Sequence, residues 1–233
     1  MSVDHDSIKA NDLLVEGKRL YGEGKCEEAV ASYDKAIEIK PKFADVWNGK
    51  GDALQKLERY DDAIVCYDKA IEIDPKNAMT WNHKGNALYS LSRNDDAIVC
   101  YDKATEIDPE QSVFWSNRGD ALLQLKKYEE AVASFDKALE IKPKFVDVWS
   151  SKGDALRRLK KYEDAVTSYD KAIEIKPKHA IAWMNKGITL HYLKKHDDAV
   201  ASYDKATEID PKNVDAWNYK GNALCYLSKY DDA

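Results

Sequence analysis

A spacing of 34 residues runs through the chain and constrains its fold more than any other feature. The only six prolines, all six tryptophans and seven of the ten glycines follow it. These residues are Pro41, Pro75, Pro109, Pro143, Pro177 and Pro211; Trp47, Trp81, Trp115, Trp149, Trp183 and Trp217; and Gly17, Gly51, Gly85, Gly119, Gly153, Gly187 and Gly221. A fixed period of this length is typical of repeat architectures, in which each unit buries its apolar side against the next unit.

The period divides the chain into seven copies of one unit. With Ala44–Asn77 as the type unit, a polar lead-in at 1–9 precedes six full repeats and a seventh that is cut at its twentieth position. The full repeats are 10–43, 44–77, 78–111, 112–145, 146–179 and 180–213, and the partial repeat is 214–233. Residues 10–233 therefore form one repeat array.

Each repeat contains two helical patterns. Two stripes of apolar and small residues have the i, i+3/i+4 spacing of amphipathic helices. The first is Ala44, Trp47, Gly51 and Leu54, and the second is Ala63, Tyr67, Ala70 and Ile71. An acidic pair such as Asp61-Asp62 opens the second helix, where it suits the helix dipole, and Pro75 ends it. Small residues such as Gly51 mark places where two helices approach closely. The pattern predicts an all-α protein.

The repeat resembles a known family. Eight residues of the type unit match the tetratricopeptide repeat (TPR) signature, and the match extends over 10–233. They are Trp47, Gly51, Leu54, Tyr60, Ala63, Tyr67, Ala70 and Pro75. The departures from the signature are local: Leu13 at the tryptophan position, Cys26, Asn94 and His196 at the position of Tyr60, and Thr189 at an alanine position. The resemblance implies a right-handed superhelical α-solenoid of antiparallel helix pairs, with the first helix of each repeat lining a concave groove.

No sequence motif indicates catalysis. The chain has no GxxxxGK[ST] phosphate loop, no HExxH and no GxSxG, and its four cysteines form no CxxC pair. His191 and His196 are five residues apart, a spacing that would split them around one helix and that argues against a metal site. We therefore expect no enzymatic activity, no catalytic residues, no cofactor and no bound metal.

Composition and charge narrow the remaining function classes. A net charge of −6 argues against a nucleic-acid binder, which needs clustered Lys and Arg. No stretch approaches 18 apolar residues, and the polar N-terminus lacks the apolar region of a signal peptide. We expect no membrane association and a cytoplasmic location.

The groove predicted from the resemblance differs in side chains from repeat to repeat, as a recognition surface requires. Short polar side chains can hydrogen-bond the backbone of an extended or helical peptide, and repeat six adds apolar groups. The predicted groove residues are Asn48, Asn82, Asn86, Tyr89, Asn117, Arg157, Arg158, Ile181, Met184, Asn185, Ile188, Tyr192, Asn218 and Asn222. We expect an apolar ligand side chain near Ile188 and an acidic group near Arg157 or Arg158.

Two known ligand-binding patterns of the family match this sequence in part or not at all. The carboxylate clamp of some TPR domains needs Lys where Asn48 stands, and no repeat has it. Asn117 and Asn185 match the asparagine ladder of O-linked N-acetylglucosamine transferases, whereas Gly49 and His83 do not. The favoured prediction is a scaffold that binds proteins or peptides of unknown identity, and one alternative is the non-catalytic arm of a larger enzyme.

The other alternative is a self-assembling element that associates head to tail. The sequence Lys229–Ala233 repeats the start of a second helix, which predicts one first helix over about Val214–Leu227 and a new turn after it. The cover of a full second helix is absent there, so we expect either a fragment of a longer array or an apolar end that meets another copy. The predicted contact residues are Leu13, Leu14, Leu20 and Tyr21 at one end and Leu224, Leu227 and Tyr230 at the other.

Overall fold

The computed structural model describes the backbone of residues 5–231 and the side chains of residues 5–227. This part of the chain forms thirteen helices and no strand. The first helices of the seven repeats are α1 (His5–Gly22), α3 (Ala44–Lys56), α5 (Ala78–Ser90), α7 (Ser112–Gln124), α9 (Val146–Arg158), α11 (Ala180–Tyr192) and α13 (Val214–Asp231). The second helices are α2 (Cys26–Ile39), α4 (Tyr60–Ile73), α6 (Asn94–Ile107), α8 (Tyr128–Ile141), α10 (Tyr162–Ile175) and α12 (His196–Ile209).

The turn between the two helices of a repeat has one residue in the left-handed region of backbone space. In repeat one it is Gly24, with φ of 80°, whereas later repeats place non-glycine residues there with φ between 59° and 62°. These are Glu58, Ser92, Lys126, Lys160 and Lys194. The conformation reverses the chain within three residues, because the next amide bonds back to the first helix, as Arg59 N–H does to the Leu54 carbonyl at 2.9 Å.

The periodic tryptophans and prolines belong to one structural unit. Trp47 Nε1 donates a hydrogen bond to the Pro41 carbonyl at 2.8 Å. All six tryptophans bond the carbonyl of the proline six residues earlier at 2.8 to 3.1 Å. The indole thus fixes the loop between repeats, which explains why the two residue types share one period.

The periodic glycines allow the second helix to pack closely on the first. A Cβ added at Gly51 would lie 2.5 Å from Tyr67 Cε1, far inside van der Waals contact. Gly17, Gly85, Gly153 and Gly187 stand in the same relation to the tyrosine of their own repeats. The prediction that Gly51 marks a close approach of helices is confirmed.

The chain divides into two compact units, Met1–Ala121 and Leu122–Ala233. In the N-terminal unit, each second helix packs between successive first helices, and buried residues such as Leu54 and Tyr101 form the core. The C-terminal unit repeats this packing with Tyr169 and Tyr203. An all-α solenoid built from consecutive packed helix pairs is therefore confirmed.

Both ends differ from the sequence-based expectation. Helix α1 begins at His5, so part of the lead-in at 1–9 is helical, while residues 1–4 lie outside the described residues. The turn expected before Lys229 is wrong, because α13 continues as one helix to Asp231. Residues 232 and 233 lie outside the described residues.

Candidate functional site

The candidate site is the first-helix face, which we define as the side of the odd-numbered helices that carries Asn48, Asp52 and their equivalents in other repeats. Its floor is formed by tyrosines of the second helices. Tyr67 donates its hydroxyl hydrogen bond to Asp52 Oδ1 at 2.9 Å, and Tyr169 donates to Asp154 Oδ1 at 2.8 Å. The hydrogen bond between the buried tyrosine hydroxyl and the first-helix carboxylate thus holds the two helices together beneath the face.

Asparagines of the N-terminal unit bond to one another. Asn117 Nδ2 donates to Asn82 Oδ1 at 2.9 Å and to Asn86 Oδ1 at 3.1 Å. Asn86 Oδ1 also accepts from the Tyr101 hydroxyl at 2.8 Å. Asn82 is only 3% exposed, and Tyr89 is half-buried against the core. These residues, which we predicted as ligand contacts, form a network that supports the face from beneath.

The N-terminal unit has a cavity of about 240 Å³ on this face, which we call the Tyr33 pocket. Its lining residues are Lys18, Tyr21, Tyr33, Asp45, Asn48, Gly49, Asp52, Asn77, Met79, Thr80 and His83. Asp52 Oδ1 lies 2.8 Å from His83 Nδ1. Burial and the nearby Asp52 carboxylate raise the pKa of Tyr33 to about 12.

Two buried polar atoms of the Tyr33 pocket have no hydrogen-bond partner among the described residues. They are Thr80 Oγ1 and Asn48 Oδ1, and Thr80 is 1% exposed. Tyr33 lacks the usual acceptor because Lys18 stands where Asp52 serves Tyr67. Buried polar groups are normally satisfied, so this set indicates a place where a ligand or water supplies the missing bonds.

The C-terminal unit has the equivalent cavity, about 410 Å³, which we call the Tyr203 pocket. It is lined by Ile188, His191, Tyr192, Tyr203, Tyr219, Asn222 and Tyr226. Tyr219 stacks on Tyr203 with ring centroids 6.0 Å apart. Ile188 occupies the acceptor position, so no described residue accepts a hydrogen bond from the Tyr203 hydroxyl. The pocket is aromatic where the Tyr33 pocket is polar.

The apolar residues predicted in repeat six are only partly brought together. Ile188 and Tyr192 line the Tyr203 pocket, and the exposed Tyr192 ring stacks on Tyr162 at 5.3 Å. Met184 is half-buried against the core below, and Ile181 is 56% exposed outside the pocket. The apolar surface expected on this repeat is present, with Ile188 and Tyr192 as its walls.

The two predicted arginines have different surroundings. Arg157 Nη2 donates to Asp154 Oδ1 at 2.9 Å, so its charge is already paired. Asn185, 8% exposed, lies 3.3 Å from the same oxygen. Arg158 is exposed and lines a separate cavity of about 250 Å³. Of the two arginines, Arg158 is the better placed to meet an acidic group.

The spatial separation expected for His191 and His196 is wrong. The two residues belong to different helices, α11 and α12, and the turn between them brings the two Nδ1 atoms to 3.2 Å. Tyr226 stacks on His196 at 5.5 Å. Burial and the neighbouring His196 lower the pKa of His191. Within the described residues, no group of three or more His, Cys, Asp or Glu could hold a metal ion.

The residues predicted for end-to-end contact are unequally exposed. Leu14 and Leu20 are 4% and 6% exposed because they pack on Tyr33 and Val46, so they offer no surface, and that part of the prediction is wrong. Leu13 and Tyr21 are half-buried. At the other end, Leu224 is exposed, Leu227 is half-buried, and the Tyr230 side chain lies outside the described residues. Asn218 and Asn222 are exposed on the same helix.

The described residues present no reactive group with an obvious catalytic role. Burial raises the pKa of the Cys66 and Cys100 thiols to about 11, so neither is a thiolate at neutral pH. Among the helices described, none combines the length and apolar character needed to cross a bilayer.

Sequence reasoning missed Tyr33, Thr80 and Tyr219 as pocket residues. The available signal was the acceptor position before each tyrosine, which holds Asp or Asn in most repeats but Lys18 and Ile188 in two. Those exceptions mark both pockets.

Family models match nearly the whole chain. Three models are described as tetratricopeptide repeat: one matches 44–77 and 112–145, a second matches 150–214, and a third matches 66–99 and 202–233. A fourth model, described as TPR repeat, matches 17–58 and 85–126. Together they cover 17–145 and 150–233. No curated protein matches by sequence comparison.

Solved structures with the same fold share little sequence with the chain. The pilF protein of Pseudomonas aeruginosa has 23% identity and a TM-score of 0.78, covering 93% of this chain and 99% of its own. YrrB has 24% identity and a TM-score of 0.70, and the match covers 81% of this chain and 97% of YrrB. The Cut9–Hcn1 complex has 19% identity and a TM-score of 0.73, and the match covers 95% of this chain and 44% of the matched chain.

Proposed function

Because the chain belongs to the tetratricopeptide repeat family, we propose that it is a protein-interaction scaffold that binds an extended or helical peptide segment on its first-helix face. The proposal includes no enzymatic activity of its own and a cytoplasmic location. YrrB, one of the proteins with the same fold, is described as having an unusual peptide-binding site, and Cut9–Hcn1 is a complex. Both descriptions are compatible with this proposal.

The observation that carries the proposal is the Tyr203 pocket. A cavity of about 410 Å³ walled by Ile188, Tyr192 and Tyr226 has the size and apolar character of a site for one large side chain. The tyrosines add rigid contact area at low entropic cost. We expect the peptide to place an apolar or aromatic side chain there and an acidic side chain near Arg158.

The test uses pools of N-acetylated, C-amidated decapeptides in which one central position is fixed and the others are mixed, with binding followed by fluorescence polarisation. A pool with a fixed leucine or phenylalanine should bind most tightly to the C-terminal unit. The dissociation constant should be on the order of micromolar, because ordering a flexible peptide offsets part of the contact energy.

Ile188→Asp places a charge in the Tyr203 pocket and should weaken binding of the leucine pool about tenfold or more. The matched control is Val65→Asp, which makes the same change at an exposed position of a second helix. Equal binding by both variants would place the ligand elsewhere.

Self-association is a second candidate function, favoured by the exposure of Val214, Trp217 and Leu224 on α13. Sedimentation velocity over a concentration series should show growth of the average mass, which Leu224→Glu with Leu227→Glu abolishes. A single monomer boundary at every concentration would exclude it.

A further inference from the structure

We infer that the Tyr33 pocket is a subsite for a basic side chain, lysine or arginine, of the bound peptide. The inference rests on the proposed function and adds the chemistry of a second ligand position. Three features carry it: the depth of the pocket, its unpartnered polar atoms and the sign of its charge.

The depth comes from Gly49. A Cβ at this position would lie 2.7 Å from Tyr33 Cζ and 2.9 Å from its hydroxyl, so the backbone runs directly over the ring. In the next repeat, His83 fills the equivalent position and packs its edge on Tyr67 at 5.9 Å. In repeat seven, Tyr219 stacks on Tyr203 from that position. At Gly49 no side chain occupies this part of the face.

The unpartnered atoms favour a ligand that donates hydrogen bonds. Thr80 is 1% exposed, and within the described part of the chain neither its hydroxyl nor Asn48 Oδ1 has a partner. Asn48 Oδ1 is an acceptor and the Thr80 hydroxyl can accept as well as donate, while the second oxygen of the Asp52 carboxylate, whose Oδ1 accepts from Tyr67 and lies beside His83, is also an acceptor. A lysine ammonium brings three donors and an arginine guanidinium five.

The charge of the pocket has the matching sign. Asp45 and Asp52 line it, against the single ammonium of Lys18 at the exposed rim. The Asp52 carboxylate also contributes to the raised pKa of Tyr21 and Tyr33, after burial, so its field reaches across the cavity.

The test compares blocked decapeptide pools with arginine, lysine or glutamate fixed at the central position; the leucine pool serves as the separate probe of the proposed function. The arginine or lysine pool should bind about tenfold more tightly than the glutamate pool, as expected for one charge-assisted hydrogen-bonded contact. If the glutamate pool binds as well as the basic pools, the inference is overturned, and the proposed function stands as long as the leucine pool binds. If no pool binds, the proposed function itself fails, and the inference with it.

Two variants identify the site. Lys18→Met removes the like charge at the rim and should tighten binding of the basic pools; weaker binding would mean that the pocket takes an acid. Thr80→Val removes an unpartnered hydroxyl with little change in shape, so it should raise or leave unchanged the melting temperature while weakening the basic pools several-fold. If Thr80→Val lowers the melting temperature, Asp45→Asn at the exposed rim provides the same binding test. Unchanged preference in Thr80→Val and Asp45→Asn would overturn the assignment.

Discussion

The Tyr33 and Tyr203 pockets occupy the same place in the repeat, five periods apart, yet differ in almost every lining residue. The floor tyrosine and its glycine partner are the same in both. Around them, the N-terminal pocket has Lys18, Tyr21, Gly49 and Asp52 where the C-terminal pocket has Ile188, His191, Tyr219 and Asn222.

The difference shows how a solenoid separates stability from recognition. Residues that face the neighbouring helix must fit one fixed spacing, so they repeat. Residues on the first-helix face contact solvent or one another, where substitutions cost little, so they vary. One scaffold can therefore present a polar, acidic pocket in one unit and an aromatic pocket in the other.

The largest expected effect comes from the close packing of a first-helix glycine on the floor tyrosine, which both pockets share. Gly187→Val should destabilise the C-terminal unit by about 3 kcal/mol, because the new side chain would overlap the Tyr203 ring, 2.6 Å from an added Cβ. Gly17→Val should do the same to the N-terminal unit. Thermal melting and hydrogen exchange measure the loss. Gly221→Ala is the control: nothing lies within 4 Å of its added Cβ, so it should stabilise α13 by about 0.5–1 kcal/mol. A Gly187→Val protein that melts like the parent would contradict the shared packing.

A smaller effect separates bonded from unbonded floor tyrosines. Tyr67→Phe should cost about 1.5 kcal/mol, because it removes a buried hydrogen bond to the Asp52 carboxylate. Tyr203→Phe should change stability by less than about 0.5 kcal/mol, since its hydroxyl has no partner among the described residues. Chemical denaturation of both variants gives the comparison, and equal losses would show that Tyr203 has an acceptor after all.

The turns beside the two pockets give a further contrast. Lys194→Gly should raise the free energy of unfolding by about 1 kcal/mol, because Lys194 has φ of 61° and glycine adopts the left-handed region without strain. Gly24→Lys should lower the free energy of unfolding by a similar amount, since Gly24 has φ of 80°. Denaturation midpoints measure both changes. A loss of stability in Lys194→Gly would indicate that the lysine side chain contributes more than its backbone costs.

The smallest expected effect is the pH response of the C-terminal unit. Burial, followed by the charge of His196, lowers the pKa of His191 below its usual 6.5. The unfolded chain therefore binds more protons between the lowered value and 6.5, so stability should rise with pH through that window and fall as the solution is acidified. His191→Gln should remove this part of the slope. His196 and Tyr226 face His191 and are present in both proteins. Parallel slopes for the two proteins would contradict the prediction.

The sequence predicted the fold because the determining residues recur at one spacing. Gly51 and Tyr67 lie in neighbouring helices of one repeat, and Trp47 and Pro41 lie on either side of one loop, so each contact is local and appears in many copies. The first-helix face was predicted from the family resemblance, which implies that the first helices line a groove. The same reasoning failed for α13, which continues past residue 227 as one helix to Asp231.

The sequence alone therefore determined the number of helices in each full repeat, their order and the residues between them, since these depend on near-neighbour contacts that the 34-residue period fixes. Only the tertiary structure decided the content of the pockets. Thr80, Gly49 and Tyr33 come from three different repeats, and the approach of His191 to His196 depends on the turn between two helices. Among the described residues these combinations of side chains are not repeated at the 34-residue period, so periodicity carries no information about them; they follow from how the side chains of adjacent helices fill the space between them.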